Sequence, residues 1–333
     1  MASERDQKPR HPIRRRALLA GGLALVPLAA FGGYEAWSVT NGLGQLHRTL
    51  DLPGGSSTPQ QGTDNQPVDP DRGRPVNILL LGSDSREKDN AGDGRSDTIM
   101  MLHLSADRKN AYLISFPRDM WVAIPGHGDA KINAAYSYGG TKLLASTIDE
   151  LTGIRIDHAA VVDFSGFDQL TDAVGGVTIT NTHAFKSHGY TYPKGRITLS
   201  GQRALWFVRE RHALPNGDFG RAANQRKVVK ALAAKLATPG TLADPTKLSH
   251  VVASLAKYVT VDKGLTDQTI LGLARSMKTA ASSLVTLQAP VSGTGMIDGQ
   301  SVDLVDKAVM QQLAQALQHD TMAQYASDHK TDH

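Results

Sequence analysis

The feature of this sequence that most limits its fold is a compact apolar run at residues 76–81 that ends at Gly82. An apolar run of this length without regular alternation is typical of a strand buried on both faces of a sheet. A charged cluster, residues 82–86, follows the run directly. We therefore expect this cluster at the C-terminal end of a central strand.

Strand-like and helical patterns alternate along the rest of the chain. Two strand candidates, 99–104 and 110–115, flank a hairpin turn at 106–109. Further strands are predicted at 158–164, 177–180 and 284–289, and helices at 132–139, 141–152, 165–174, 199–208, 225–236, 246–256, 266–277 and 303–318. Such interleaving predicts an α/β fold with a mixed central β-sheet and helices on both faces, a three-layer α/β/α architecture.

The N-terminal region has the pattern of a membrane anchor. Six basic residues precede residue 17, and residues 17–34 carry no charge. As a helix, these ~18 residues rise ~27 Å, close to the ~30 Å hydrocarbon core of a bilayer. The basic flank is expected to stay in the cytoplasm.

The domain organisation follows from this anchor. Residues 52–75 are rich in Pro, Gly, Ser, Thr, Asp and Gln, which is typical of a flexible spacer. The sequence predicts a cytoplasmic tail at 1–16, one transmembrane helix at 17–38, a juxtamembrane segment and linker at 39–75, an extracytoplasmic domain at 76–320 with its core motifs in 76–230, and a polar tail at 321–333.

A cleaved signal peptide is the alternative interpretation of the same segment. Arg15 and Arg16, followed by Ala17, Leu18 and Leu19, resemble a twin-arginine signal. No clear small-x-small site ends the apolar run, which favours an uncleaved, single-pass anchor in the cell membrane. Both interpretations place the body of the chain outside the cytoplasmic membrane.

Composition excludes several classes of function. The chain has no cysteine, which excludes disulfides, thiolate metal sites and cysteine nucleophiles. Its net charge is +4, and six basic residues lie before residue 17, so the body is nearly neutral. A nearly neutral body argues against a general nucleic-acid binder, whose affinity comes from neutralising phosphates.

Asp84 and Asp97 are the strongest metal candidates. Each lies among small residues beside a predicted strand. Mg²⁺ takes one or two carboxylates and completes its shell with water and phosphate oxygens. The alternative is that the two aspartates cap turns or pair with Arg86 and Arg95.

Arginines are the candidate phosphate-binding residues that would complement the metal site. Guanidinium forks fit phosphate oxygens, and Arg118 and Arg209 directly follow core-like runs, where a solvated charge is less expected. The candidates are Arg86, Arg95, Arg118, Arg209, Arg211 and Arg221, with Lys131 and Gln225 as further donors.

The ordered set of clusters resembles the LytR-CpsA-Psr proteins of bacterial cell envelopes. The stretches that carry the resemblance are 80–86, 94–100, 115–119, 131–136, 174–177, 209–211 and 217–221. The resemblance implies a phosphotransferase that moves a glycopolymer from a polyprenyl-pyrophosphate carrier to peptidoglycan and releases polyprenyl phosphate. Its partners would be that lipid-linked glycopolymer, peptidoglycan and the cytoplasmic membrane.

The resemblance also implies roles for individual residues. Asp84, Asp97 and Arg118 would be catalytic, and the two aspartates would hold Mg²⁺, or Mn²⁺ in its place. The pyrophosphate would be bound by Arg86, Arg95, Arg118, Arg209, Arg211, Arg221 and Gln225, with Lys131 and Asp218 in support, Asp218 by orienting an arginine. The lipid would occupy an apolar tunnel between sheet and helices, with Leu143, Val161, Phe164, Phe167, Leu170, Trp206 and Val229 as candidate wall residues.

One part of the motif departs from the family. Such proteins commonly read Arg-x-x-Arg-Gln-Gln where this chain has Arg221 followed by Asn224, Gln225 and Arg226. These altered residues keep open a non-catalytic scaffold that binds the lipid-linked polymer. A Mg²⁺-dependent hydrolase that releases the polymer to water is a further alternative to the transferase.

Overall fold

The structure is a computed structural model. It describes residues 43–44, 46–53, 73–83, 96–236, 256, 258–276 and 284–329. The strands are β1 His47–Leu50, β2 Val76–Ser83, β3 Ser96–Leu104, β4 Ala111–Phe116, β5 Met120–Ile124, β6 Gly128–Lys131, β7 His158–Asp163, β8 Val177–Asn181, β9 Phe185–Ser187, β10 Tyr190–Tyr192, β11 Gly195–Leu199, β12 Val259–Asp262, β13 Leu284–Gln288, β14 Val291–Ile297 and β15 Gln300–Val305. The helices are α1 Ile132–Thr152, α2 Phe164–Ala173, α3 Gly201–Arg209, α4 Gly217–Leu236, α5 Asp267–Ser276, α6 Lys307–Gln318 and α7 Met322–Asp328.

The central sheet has the strand order β1-β12-β7-β2-β3-β4-β13. Strand β2 pairs antiparallel with β3 and parallel with β7, and β4 pairs parallel with β13. The predicted mixed central sheet is therefore confirmed, with the apolar run of residues 76–81 in its middle.

Helices pack on both faces of this sheet, as predicted, because successive residues of β2 point to opposite faces. Ile78 belongs to the core shared with α2, α3, α4 and α5, whereas Leu79 belongs to the core shared with α1, α6 and α7. Both side chains are at most 3% exposed. Burying a side chain of this size stabilises the fold by roughly 1.5–3 kcal/mol, so the run holds two layers together.

The helix at Ile132–Thr152 contains a kink that the sequence predicted as a break between 139 and 141. Gly139 and Gly140 have non-helical dihedrals, and Gly140 has φ 62° and ψ −156°. A side chain would be strained at that positive φ, so glycine is needed there. Residues on both sides of the kink, Ile132 and Ala135 before it and Leu144 and Ile148 after it, are buried in the same core.

A second sheet, with the order β14-β15-β5-β6, was not predicted. Strand β15 runs parallel to β5, with Asp303 opposite Met120. The predicted helix over 303–318 is wrong at its start, because residues 303–305 belong to β15. The helix begins at Lys307, where the Asp306 carboxylate accepts a hydrogen bond from the Val309 N–H at 3.1 Å and caps it.

Other predicted boundaries also differ from the structure; for example, the helix predicted at 199–208 is Gly201–Arg209, and the strand predicted at 99–104 begins at Ser96. Helix α4 begins at Gly217 rather than at residue 225, so it includes the charged cluster 217–221. Strand β1 lies within the predicted juxtamembrane segment 39–75 but pairs with β12 in the central sheet. Within the predicted polar tail 321–333, α7 buries Met322, Tyr325 and Ala326 against the core, because these apolar side chains share one helix face.

Several predictions fall on other parts of the chain. The tail at 1–16, the transmembrane helix at 17–38 and nearly all of the helix at 246–256 lie outside the described residues. Within the part that the structure describes, no helix combines the length and hydrophobicity needed to cross a membrane.

Candidate active site

The candidate site forms where the central sheet joins the second sheet. Strand β4 ends at Phe116, and a tight turn, closed by a 3.0 Å hydrogen bond from the Met120 N–H to the Pro117 carbonyl, leads into β5. Arg118 and Asp119 lie in that turn. The Asn133 N–H donates to the Arg118 carbonyl at 3.2 Å, which ties the turn to the first residues of α1.

Asp218 is the centre of the charged cluster. Its carboxylate lies 3.3 Å from Arg118, 3.3 Å from Arg221 and 3.7 Å from Arg211. Burial opposes ionisation of this carboxyl, but the three guanidiniums outweigh it, so the pKa of Asp218 lies below its usual range. Its position in the first turn of α4, near the positive end of the helix dipole, acts in the same direction.

Asp119 links Lys131 to this cluster. The Lys131 ammonium lies 2.9 Å from one Asp119 oxygen, and Arg118 Nε lies 3.5 Å from the other. Four separate segments of the sequence thus meet here, and they supply Arg118, Lys131, Arg211, Asp218 and Arg221.

Asp303 also belongs to this site, and sequence reasoning missed it. It is 7% exposed. Burial, with the negative charges of Asp119 and Asp218, raises its pKa to about 6, against the opposing effect of Lys131 and Arg118. One sequence signal could have placed it: Asp298 and Gly299, with φ of 50° and 73°, form the hairpin turn between β14 and β15.

Gln225 and Arg221 complete the wall of a small cavity at the cluster. Gln225 is 9% exposed and donates to the Val208 carbonyl at 3.2 Å. The cavity is about 20 Å³ and is lined by Thr98, Ile99, Ser115, Phe116, Pro117, Arg118, Asp218, Phe219, Arg221, Ala222, Gln225 and Asp303.

Arg209 lies at the end of α3 and is positioned by an aromatic stack. Its guanidinium is 5.1 Å from the centre of the Trp206 ring, and that ring stacks on His188 at 3.5 Å. A cation over an indole face is a favourable contact. Arg209 is absent from the wall of the small cavity.

Only the backbone of one predicted metal ligand, Asp97, lies within the described residues. Asp84, Arg86 and Arg95 lie outside the described residues, and Asp97 lies in β3 with its side chain not described. Ser83 and Ser96, the residues that precede Asp84 and Asp97 in sequence, are partners in the β2–β3 pairing. Carboxylates are hard oxygen donors of the kind that Mg²⁺ prefers, and Mg²⁺ at Asp84 and Asp97 stays a prediction.

The candidate tunnel residues do not line one space. Leu143 and Val161 pack against the core on the α1 side of the sheet, whereas Phe167, Leu170 and Val229 belong to the core on the α4 side. The prediction of a single apolar wall from these residues is therefore wrong. Trp206 is engaged with His188, and the Phe164 side chain lies outside the described residues.

The departure from the family motif has a structural consequence. Arg226 is 7% exposed and donates from Nη1 to the Ser115 hydroxyl at 2.5 Å and to the Gln288 side-chain oxygen at 3.4 Å. Burial lowers its pKa to about 10. The extra guanidinium is thus held by side chains of β4 and β13.

Comparison with known proteins identifies the family. The sequence profile of the LytR_cpsA_psr family matches residues 54–319, which is most of the chain. This protein belongs to the LytR-CpsA-Psr family. The match spans the charged segments at 115–119, 131–136, 209–211 and 217–221, in which the structure places the cluster around Asp218.

Relatives within the LytR-CpsA-Psr family have named functions. The polyisoprenyl-teichoic acid–peptidoglycan teichoic acid transferase TagU of Halalkalibacterium halodurans is 35% identical over 254 residues, covering 74% of this chain and 80% of the relative. The structure of Bacillus subtilis TagV aligns with a TM-score of 0.62 at 26% identity, covering 74% and 97% of the two chains. A structure of TagT bound to LIIa-WTA aligns with a TM-score of 0.62 at 25% identity, covering 82% and 99%.

Proposed function

We propose that this protein is a phosphotransferase at the outer face of the cytoplasmic membrane. It transfers a glycopolymer from a polyprenyl-pyrophosphate carrier to peptidoglycan and releases polyprenyl phosphate. The observation that carries the proposal is the Asp218 carboxylate held among Arg118, Arg211 and Arg221. Membership of the LytR-CpsA-Psr family, with a relative named as a teichoic acid–peptidoglycan transferase, supports it.

Charge explains why this cluster suits a pyrophosphate. Three guanidiniums and the Lys131 ammonium face the carboxylates of Asp218 and Asp119. The cations exceed these carboxylates, so the cluster complements an anionic diester. Asp218 holds the three guanidiniums in place before substrate arrives, and such preorganisation favours charge that develops in a transition state.

The small cavity limits how the pyrophosphate sits. Its volume of about 20 Å³ is close to the ~10–15 Å³ that a single water requires. One phosphoryl oxygen therefore enters between Arg118 and Arg221, while the rest of the pyrophosphate lies over the mouth.

The transfer step then follows from the residues around the cavity. A peptidoglycan hydroxyl attacks the phosphorus that carries the sugar, and the bond from that phosphorus to the bridging oxygen breaks. Polyprenyl phosphate leaves with the bridging oxygen. The arginines stabilise its charge, as positioning and charge stabilisation dominate phosphoryl transfer.

Asp303 accepts the proton of the attacking hydroxyl. It lines the cavity, and with a pKa of about 6 it is ionised at neutral pH yet more basic than an ordinary aspartate. Asp84 and Asp97 would hold Mg²⁺, which supplies charge neutralisation at the pyrophosphate when bound. A carboxylate that holds a metal is a poor base, so the division of roles is chemically consistent.

The test uses the full chain in detergent, a synthetic polyprenyl-pyrophosphate glycan and peptidoglycan fragments. Release of polyprenyl phosphate coupled to glycan attachment, lost with EDTA and in Arg118→Ala, supports the transferase. Arg196→Ala, which removes an exposed arginine from β11, is the matched control. Release without attachment indicates hydrolysis, and bound but unchanged lipid indicates a scaffold; either result overturns the proposal.

The location is tested separately. In intact protoplasts, an external protease is expected to digest the body of the chain and leave a membrane-bound N-terminal fragment. Protection of the body would contradict an extracytoplasmic domain, and loss of the N-terminal fragment before protease treatment would indicate a cleaved signal peptide.

A further inference from the structure

A second pocket adjoins the Asp218 cluster, and Phe219 lies in the walls of both. Its volume is about 420 Å³, within the range of roughly 300–1,000 Å³ that is typical of small-molecule sites. Helix α4 lines it with Phe219, Asn224, Arg226 and Lys227, and further lining comes from residues 181–183, Gln288 and residues 291–293. The pocket is distinct from the small cavity lined by Arg118 and Asp303.

The pocket carries positive charge. Arg226 and Lys227 both line it, and its described lining includes no aspartate or glutamate. The Lys227 ammonium donates to the Thr182 hydroxyl at 3.0 Å. Burial, and then the neighbouring Arg226 charge, lowers the pKa of Lys227. An anion in the pocket would relieve this repulsion, because it would lie near both cations.

Asn224 supplies a polar group with no partner. The residue is 4% exposed and lines the pocket, and its Nδ2 has no hydrogen-bond acceptor within the described part of the chain. A buried donor left unpaired costs about 1–3 kcal/mol. A ligand oxygen at this position would remove that penalty, so the amide is poised for a hydroxyl or carbonyl group.

An apolar surface lies beside these polar groups. Leu214, Pro215, Phe219 and Val291 line the same pocket. A sugar ring presents hydroxyls at its edge and C–H groups on its face, so it can use the amide and the apolar wall together. Inorganic phosphate could use the cations and the amide, but it has no apolar face to pack on the wall.

We propose that this pocket binds an anionic saccharide unit, a sugar that bears a phosphate or a carboxylate. The proposal rests on the proposed function, because such a unit belongs either to the donor polymer or to the acceptor glycan. Asn224 donates to a ring substituent, Lys227 and Arg226 bind the anionic group, and the ring face packs on Phe219. The shared wall at Phe219 puts the bound unit next to the pyrophosphate cluster.

Binding is measured first without turnover, by calorimetry on the full chain in detergent. The probes are N-acetylglucosamine 6-phosphate, N-acetylmuramic acid, neutral N-acetylglucosamine and inorganic phosphate. We expect both acidic sugars to bind more tightly than the neutral sugar and phosphate. Lys227→Met should weaken their binding by roughly tenfold, as the loss of one charge-assisted hydrogen bond would.

Matched variants keep the result interpretable. Lys227→Arg retains the charge and should keep most of the affinity, and Asn224→Ala should weaken the neutral and acidic sugars alike. Lys230→Ala removes an exposed lysine from the same helix and should change nothing. Equal binding of all four probes, no sugar binding, or unchanged affinity in Lys227→Met with a normal unfolding temperature would overturn the proposal.

Transfer kinetics identify the source of the sugar. If Lys227→Met raises the KM for the lipid-linked donor, the pocket binds the polymer; if it raises the KM for peptidoglycan fragments, the pocket binds the acceptor. The two proposals fail separately. If acidic sugars bind but the protein has no transfer activity, the proposed function fails and the saccharide site is still supported. If the protein transfers the polymer but binds no sugar, only the saccharide site is overturned.

Discussion

The backbone N–H of Asp303 donates a hydrogen bond to the Asp119 carbonyl oxygen at 2.9 Å. This contact is part of the parallel pairing of β15 with β5, which brings a residue from late in the chain to the turn that carries Arg118. The carboxylate of Asp303 is thereby buried near those of Asp119 and Asp218. Burial, and then these two negative charges, raises its pKa to about 6.

Asp303→Asn is expected to stabilise the fold at pH 8. The folded-state pKa of about 6 lies above the ordinary value of 3.8, so ionisation opposes folding and stability falls as pH rises between these values. Above pH 6 the penalty is fully present, and its removal should gain about 1–2 kcal/mol after allowance for solvent screening. Below pH 4 the variant and the wild type should be equally stable.

Urea unfolding of both proteins across this pH range checks the result. Asp298→Asn, in the β14–β15 turn, removes the same charge outside the cluster and tolerates the positive φ. If Asp303→Asn were less stable than the wild type at pH 8, the carboxylate would be stabilised by its surroundings and the assignment of its pKa would be wrong.

The same Asp303→Asn variant is expected to lose transfer activity. Removal of a general base commonly lowers kcat by roughly 10²–10⁴-fold. In the wild type, kcat should rise with pH through about 6 as Asp303 loses its proton, and this step should vanish from the residual activity of the variant. A stable, folded variant with full kcat would exclude Asp303 as the base.

Arg118→Ala is expected to abolish most transfer while the chain stays folded. Arg118 contacts both Asp119 and Asp218, and one electrostatic donor in an active site is commonly worth roughly 10²–10³ in kcat. Arg118→Lys should recover only part of this, because an ammonium lacks the planar fork. Steady-state rates beside thermal unfolding check this; equal activity in Arg118→Ala and Arg196→Ala would contradict it.

Arg226→Met is expected to leave the protein as stable as the wild type or more so, by about 1 kcal/mol at pH 7. Burial lowers the pKa of this arginine to about 10, so its charge opposes folding at every pH below that value. The hydrogen bonds to Ser115 and Gln288 offset only part of this. Guanidinium chloride unfolding of both proteins measures the difference in unfolding free energy, provided that the m-value is unchanged. A variant less stable by several kcal/mol would show that the hydrogen bonds of Arg226 outweigh the cost of burying its charge.

Local sequence patterns predicted most of the central sheet. Residues 76–81 form a buried strand because nearly all of their side chains are apolar and are stabilised by burial. The two predicted helices, 132–139 and 141–152, likewise leave a break where Gly139 and Gly140 kink α1. The resemblance to the LytR-CpsA-Psr family supplied Arg118, Arg211, Asp218 and Arg221 as one site.

Other features had no local signal strong enough to place them. The predicted helix at 303–318 failed at its start because apolar spacing near β15 suits either state, and pairing with β5 selected the strand. The candidate tunnel residues were divided between the two faces because a sheet sends alternate residues to opposite sides.

The sequence by itself determined the type of fold, the family and the charged residues of the site, because these depend on which side chains must be buried and on the order of the motifs. Only the tertiary structure decided that Asp218 is the carboxylate on which three arginines converge, that Asp303 faces them, and that Asn224 has an unpaired amide in a positively charged pocket. Charge, pKa and hydrogen-bond satisfaction depend on distances between segments far apart in the chain, and folding sets those distances.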